Sequence, residues 1–388
     1  MKTSDYRTKT IFKEMRTPRS NNGNWVVGLD IGYSGVKTFS ANSCVCFPAY
    51  ASRCTDSARI NIGQAEDSRR IFYKDEEEEW EVGALAQNSI SVSDTSAGSM
   101  SIYGRSRYYS PMFKVLLRVG IAAGCRTNVY GNPLDKKIKV QTGLPPKYMK
   151  SDSEDLRSVL IGEHTFSVKF GNGVWEEFSF TLEENDINII DQPEGTLFSI
   201  ATDRNLQLVS NATKYFNSRL LIVDPGFGTL DLFPMIRGAV NRDNCQTYTE
   251  LGMKQILKDT SDEILEQHNF EISVPSMQQF LEKEYVLKRE GRKITKVGFA
   301  DILEKHSRDI CEKAIERIME IYNPPLEYDY LVLTAGTGAA WSSYFRGNSY
   351  FKDCETLEII SGNQGDPSLP YIFSNVRGYY IFGVTHFK

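Results

Sequence analysis

Two segments place an acid, a glycine and an aromatic residue in the same order. The first is Asp30-Ile-Gly-Tyr-Ser-Gly-Val-Lys-Thr-Phe39, the second Asp224-Pro-Gly-Phe-Gly-Thr-Leu-Asp-Leu-Phe233. Each comes after an aliphatic run and reads Asp-x-Gly-aromatic, two small residues, an aliphatic, two more residues and Phe. A glycine-containing turn between two strands points successive backbone N–H groups into one space, a nest that takes phosphate oxygens. Glycine serves where the backbone needs φ > 0 or must approach the anion closely. Gly32, Tyr33, Ser34 and Gly35, with Gly226, Phe227, Gly228 and Thr229, are therefore the candidate phosphate cradles. Asp30 and Asp224 repel phosphate, but either can hold Mg2+ through water, and the ion then bridges to the phosphates. Two opposed turns of this kind would clamp the β- and γ-phosphates of a nucleotide. Lys37 and Asp231 sit at matching offsets, either as members of the site or as strand residues facing solvent.

Phosphoryl transfer needs mainly positioning and charge neutralisation. Hydrolysis also needs a group that orients water. Glu194 is the candidate: it comes just after Pro193 at a helix start, lies between the two turns in sequence, and can accept a hydrogen bond from water. Its bland alternative is a helix-start acid. Leu333-Thr-Ala-Gly-Thr-Gly338 ends a buried strand and is either a further ligand-contacting turn or an ordinary strand-to-helix connection.

The elements that must position these groups alternate. Trp25–Asp30, Val36–Ser40, Cys44–Ala49, Lys137–Gly143, Leu220–Val223 and Tyr330–Thr334 read as strands. So do stretches of 151–190: Leu160–Phe170, Trp175–Leu182 and Ile187–Ile190. Pro111–Ala123 and Asp301–Tyr322 carry apolar stripes at helical spacing. A helix is expected from Pro193 to about Leu208, and residues 252–290 read as helical and polar. Ser89–Ser101 reads as a loop, and the acidic run Asp75–Glu79 as a solvated face. Strands and helices in alternation, with acids and glycines at strand ends, argue for an α/β architecture with ligands beyond the carboxyl ends of strands.

Composition narrows the classes. The chain has 388 residues, 40% hydrophobic and 24% charged, with a net charge of −5. There is no global basic field for gripping DNA or an anionic membrane, so contact with DNA is expected only through a partner. No apolar window is long enough to span a membrane. The seven cysteines show no zinc spacing and read as reduced packing residues of a cytosolic protein.

These motifs resemble the actin-like ATPase superfamily and, within it, the ParM-type plasmid-segregation proteins. The two turns look like the phosphate-1 and phosphate-2 motifs, and Leu331–Ala339 like the adenosine motif. Asp191-Gln-Pro-Glu-Gly195 looks like the ParM-type connecting helix, whose Glu acts on the attacking water. Thr142-Gly-Leu-Pro145 and Ser374-Asn-Val-Arg-Gly-Tyr-Tyr-Ile-Phe-Gly383 resemble two further signatures of that group. The resemblance implies an actin/Hsp70/hexokinase-type fold, two related lobes around a nucleotide cleft. It implies ATP or GTP with Mg2+ as cofactors, with Gly336, Thr337, Gly338, Glu250 and Lys254 on the nucleoside side. It also implies self-association into a filament in the bacterial cytoplasm, with an adaptor protein bound to a centromere-like DNA site. The lobes are expected at 25–190, with 362–388 packing back on it, and at 191–361, after a flexible arm at 1–24. A small-molecule kinase of the same fold, with Glu194 as its base, and a non-polymerising nucleotide switch are the rival readings.

Overall fold

The structure is a computed structural model and describes residues 3–19, 22–54, 70–88, 104–133 and 135–388. These fall into two compact units. The N-terminal unit takes the described residues between 8 and 207 together with 375–388, and the C-terminal unit takes 3–7 and 208–374. The division thus lies at 207 rather than near 190, and the returning tail begins at 375 rather than 362.

In the N-terminal unit one sheet runs in the order β1 (Ile11–Glu14), β4 (Ser43–Pro48), β3 (Gly35–Phe39), β2 (Asn24–Ile31), β8 (Lys137–Leu144), β11 (Ile187–Asp191). The first four strands are antiparallel neighbours, and β2, β8 and β11 run parallel. A second sheet holds β10 (Glu176–Leu182), β9 (Gly162–Phe170), β6 (Ile71–Lys74), β7 (Glu79–Val82) and β5 (Ala51–Arg53). The helices are α1 (Ala84–Asn88), α2 (Pro111–Gly124), α3 (Met149–Leu160), α4 (Gln192–Ala201) and α11 (Ser374–His386).

In the C-terminal unit the sheet order is β14 (Ala239–Val240), β13 (Leu230–Ile236), β12 (Arg219–Pro225), β18 (Tyr330–Leu333), β19 (Glu358–Ser361), with β15 (Gln246–Tyr248) also on β13. Here β12, β18 and β19 run parallel. Each unit therefore repeats one plan, an antiparallel hairpin followed by two parallel strands. A separate ribbon pairs β16 (Tyr285–Glu290) with β17 (Lys293–Gly298). The helices are α5 (Ala212–Asn217), α6 (Met253–His268), α7 (Val274–Phe280), α8 (Ala300–Tyr322), α9 (Pro324–Glu327) and α10 (Ala335–Gly347).

β2 reads as a continuous apolar run because both its faces are covered. On one face α2 brings Gly120 against Leu29 and Gly124 against Val27, where a Cβ would come within 2.6 and 2.7 Å. On the other face a Cβ at Gly28 would lie 2.6 Å from the Val376 carbonyl of α11. The last carbonyls of α2 are taken up by the sheet: Thr38, Ser43 and the Trp25 indole donate to Gly120, Ala123 and Gly124 at 2.7–2.9 Å. Buried carbonyls without partners would be costly.

Several expectations change. Residues 3–14 are not a free arm. Thr3–Tyr6 forms a 3-10 turn with Thr3 and Tyr6 buried, Tyr6 hydrogen-bonds Ser307, and Arg7 pairs with Glu282. Ile11–Glu14 then adds a strand to β4. The two apolar residues Ile11 and Phe12 are too few to announce a strand in the sequence. Within 151–190, read as strand-rich, the first residues to Leu160 form helix; and 285–290, read as helical, pair with 293–298 in the ribbon, because β-branched residues flank a turn at Gly291, whose φ is +61°. The helix after Pro193 ends at Ala201, not Leu208. In the acidic run, Asp75 is not merely solvated: it accepts from Tyr73 at 2.8 Å and from the buried Arg118 at 3.2 Å. The expected loop at Ser89–Ser101 lies outside the described residues. Among the described residues no helix is long and apolar enough to cross a membrane. All seven cysteines are thiols outside any disulfide, and Cys44, Cys46, Cys125 and Cys311 are buried.

Candidate functional site

The two turns have one construction. In the first, Asp30 is directly opposite Lys37 and Ile31 opposite Val36, and the Gly32 amide donates to the Gly35 carbonyl at 3.1 Å. In the second, Asp224 is opposite Asp231 and Pro225 opposite Leu230, and the Gly226 amide donates to the Thr229 carbonyl at 2.8 Å. Each leaves two residues at the tip, Tyr33-Ser34 and Phe227-Gly228. Each is positioned by a buried strand that ends at the carboxyl edge of its sheet.

Their charges differ. Residues directly opposite on a sheet share a face. In the first turn Lys37 Nζ lies 3.1 Å from Asp30 Oδ2, with the side chains 18% and 17% exposed, so the pair is largely shielded from water. In the second turn two buried carboxylates share the face, and Asp231 accepts from the Thr229 and Thr247 hydroxyls, each at 2.7 Å. Like charges opposite one another are destabilising, so this face suits a cation. Among the described residues no group of three or more His, Cys, Asp or Glu side chains could hold a metal alone. The donors present are carboxylates and hydroxyls, and they fit Mg2+, which keeps waters and draws its remaining ligands from phosphates.

Neighbours fix each turn. The Ala49 amide donates to Ser34 at 3.0 Å. Arg107 lies 5.2 Å from the Tyr33 ring centroid and donates to the Ile31 carbonyl at 3.4 Å. In the C-terminal unit the first amides of α6 bind the second turn: Met253 donates to Gly226 at 3.1 Å and Lys254 to Phe227 at 2.8 Å. Gly252 must be glycine for this approach, since a Cβ would lie 2.7 Å from the Thr229 nitrogen. Glu250, exposed, sits in the 3-10 turn just before α6. The start of α10 borders the same turn, because a Cβ at Gly338 would touch Pro225 at 3.4 Å and the Thr334 amide donates to Val223 at 3.0 Å. Helix N-termini favour anions. Asp224, Gly226, Phe227, Gly228, Thr229, Glu250, Lys254, Gly336, Thr337 and Gly338 are thus gathered in one unit.

Glu194 stands in the other unit, in the first turn of α4. Its Oε2 accepts from the Asp191 amide at 3.0 Å, closing a reciprocal capping box. β8 separates β11 from β2, so Glu194 lies past a strand end about 10 Å, two strand spacings, from the first turn. The tail signature holds this helix. Thr196 donates to Asn375 at 2.6 Å, and Arg377 donates to the carbonyls of Ser199, Thr202 and Asp203 at 2.5–2.9 Å. Gly378 packs so closely that a Cβ there would overlap the Gly195 oxygen at 1.6 Å.

Arg107, Gly252, Asn375, Arg377 and Gly378 are site-supporting residues that the motif spacing did not assign. Only Gly252, a glycine just before a helix, and the tail signature carried any signal. Cys46, opposite Lys37, is no nucleophile, because burial pushes its thiol up to about 12.

Residues 28–195 match the family model described as Actin like proteins N terminal domain. No curated protein matches the chain. Among solved structures it is similar to the pCBH ParM non-polymerisable quadruple mutant, at 18% identity over 93% of this chain and 99% of that one, with a TM-score of 0.69. It is similar to the ParM of a 15-stranded filament from Clostridium botulinum at 18% identity, 94% and 99% coverage and a TM-score of 0.68. It is also similar to Ta0583, an archaeal actin homolog, in complex with ADP, at 14% identity, 92% and 97% coverage and a TM-score of 0.61. The fold is the actin-like one, and the resemblance read from the motifs holds at that level.

Proposed function

We propose that this chain is a nucleotide-dependent, filament-forming actin-like protein that hydrolyses ATP or GTP and drives segregation of plasmid DNA. The observation that carries the reading is the matched pair of turns, alike in register and in closing hydrogen bond, each at the carboxyl edge of a sheet of the same order. In this reading each turn takes phosphate oxygens of a nucleoside triphosphate. Gly32, Tyr33, Ser34 and Gly35 cradle phosphate on one side with Lys37 as counter-charge, and Gly226, Phe227, Gly228 and Thr229 do so on the other. Asp224 and Asp30 would hold Mg2+ through water, and the ion would supply charge neutralisation on the phosphates. The starts of α6 and α10, with Glu250, Lys254 and Gly336–Gly338, take the nucleoside side. Glu194 accepts a proton or hydrogen bond from the attacking water and so aims it.

Self-association is supported by likeness in fold to proteins solved as filaments. A net charge of −5 favours coupling to DNA through an adaptor bound at a centromere-like site over direct contact. The test is to add ATP or GTP with Mg2+ and track light scattering, pelleting and phosphate release. We expect nucleotide-dependent assembly and then turnover. A chain that turns over nucleotide without assembling at any concentration is not a filament protein, and one that phosphorylates a sugar or acid is a kinase.

A further inference from the structure

The ribbon of β16 and β17 presents an outward face that its own unit does not cover. Val286 and Val297 point inward and are buried, 0% and 7% exposed. Strand alternation then turns Tyr285, Leu287, Arg289, Ile294 and Lys296 outward. Leu287 is 50% and Ile294 64% exposed, and the register makes them diagonal neighbours on that face. Charge surrounds them. Arg289, Arg292, Lys293 and Lys296 are all exposed. Residues 282–298 contain six Lys and Arg against three Glu, inside a chain whose net charge is −5. An apolar centre with a charged rim is the anatomy of a protein interface. Lysines that merely guarded a ribbon edge against aggregation would not need two aliphatics turned to water.

The complementary surface lies on the N-terminal unit, at the turn joining β6 to β7. Asp75 shapes it, accepting from the Glu77 and Glu78 amides at 3.1 and 3.0 Å while Arg118 and Tyr73 hold its other oxygen. Glu78 pairs with Arg53 at 2.7 Å. Glu76 and Glu77 are the exposed members of the run. The tip is thus a pre-shaped acidic projection rather than a loose charge run.

We infer that the outward face of the 285–298 ribbon binds the 75–79 acidic tip of a second copy of this chain. Ribbon and tip are different surfaces, so each copy offers one of each. The inference rests on the self-association proposed above and names the charge pairing within it. A duplex nucleic acid is the weaker occupant, because phosphates gain nothing from Leu287 and Ile294 and the rest of the chain is acidic.

Charge exchange tests it. One variant carries Arg289→Glu with Lys296→Glu, the two cations on the outward face, the other Glu76→Lys with Glu77→Lys. Each alone should raise the critical concentration for nucleotide-dependent pelleting about tenfold, with nucleotide affinity unchanged. Mixed in equal amounts they should return to within about threefold of the parent, because each then meets an opposite charge at both contacts. Added salt should weaken the parent's assembly in the same direction. If reversal unfolds the ribbon, as a lowered melting temperature would reveal, Leu287→Thr with Ile294→Thr replaces it and should raise the critical concentration likewise. Parent assembly that neither ribbon variant disturbs overturns the inference and leaves the filament reading standing. Loss in both variants without rescue on mixing overturns it too, as does loss of duplex DNA retention with assembly intact. A parent chain that never assembles removes both readings.

Discussion

The two turns share a backbone and differ in charge. Asp30 faces a lysine, whereas Asp224 faces a second aspartate whose oxygens are taken by two threonine hydroxyls. The strand register and the closing amide–carbonyl hydrogen bond are properties of the turn, and both have them. The charge opposite the aspartate decides what each turn adds. The first brings a cation of its own, while the second, with two facing carboxylates, suits an added cation. The second also carries more support, from the starts of α6 and α10, while the first has Arg107 beside its tip. The duplication is therefore one of fold with divided roles.

Neither turn supplies a group for the hydrolysis proposed above, and the largest expected effect tests the residue that would. Glu194→Gln keeps an oxygen able to accept the Asp191 amide, so the cap on α4 should survive while the proton acceptor is lost. Turnover should fall by about 100-fold or more, with nucleotide affinity retained. Unchanged phosphate release in a single-turnover assay would leave Glu194 as a cap only. The next effect divides the turns. Asp224→Ala should weaken Mg2+-dependent nucleotide binding by roughly 30-fold or more, in the range for removing one member of a buried charge arrangement. Asp30→Ala should cost clearly less, since Lys37 remains as counter-charge for phosphate. Titration calorimetry with and without Mg2+ measures both, and equal losses would erase the asymmetry.

The hairpin geometry of the turns and the helix start at Glu194 were legible in the sequence because their signals are local. A glycine turn behind an aliphatic run, or a Pro-Glu step opening a helix, needs no distant partner. The features that escaped needed the fold. Arg107 lies 76 residues from the carbonyl it reaches, and no spacing links it to Tyr33. Tyr6 finds Ser307 across nearly the whole chain. The tail signature was recognised as a motif, but that Asn375, Arg377 and Gly378 all act on α4 depends on how α11 packs. The first ribbon strand, 285–290, was misread as the end of a helical stretch because charges three and four apart mimic a helix face, and only the β-branched residues around Gly291 argued otherwise.

Gly252→Ala probes the heavier support of the second turn. A Cβ would press on the Thr229 nitrogen and the Gly228 carbon at 2.7 and 2.8 Å, with backbone on both sides. Overpacking of this kind costs about 1–3 kcal/mol. The expected result is a lower urea midpoint at unchanged slope, with nucleotide affinity falling alongside. A neutral outcome would mean that α6 does not hold the turn.

The smallest effect concerns the segment after the second parallel strand in each unit. Beyond β8 the chain enters Pro145-Pro146, which offers no amides. Beyond β18 it enters Ala335-Gly-Thr-Gly338 and α10 begins at once. The same place in the repeated plan therefore lacks amide donors in one unit and offers a helix start in the other. Ala335 makes that opening at φ +56°, a left-handed conformation costing a side-chain-bearing residue about 1–2 kcal/mol. Ala335→Gly relieves this strain but adds roughly 0.4–1 kcal/mol of unfolded-state entropy. A net gain of about 0.5 kcal/mol is expected by chemical denaturation, with nucleotide affinity held or slightly raised. A loss of stability would show that α10 does not start through a left-handed Ala335, and would remove the contrast with the prolines after β8.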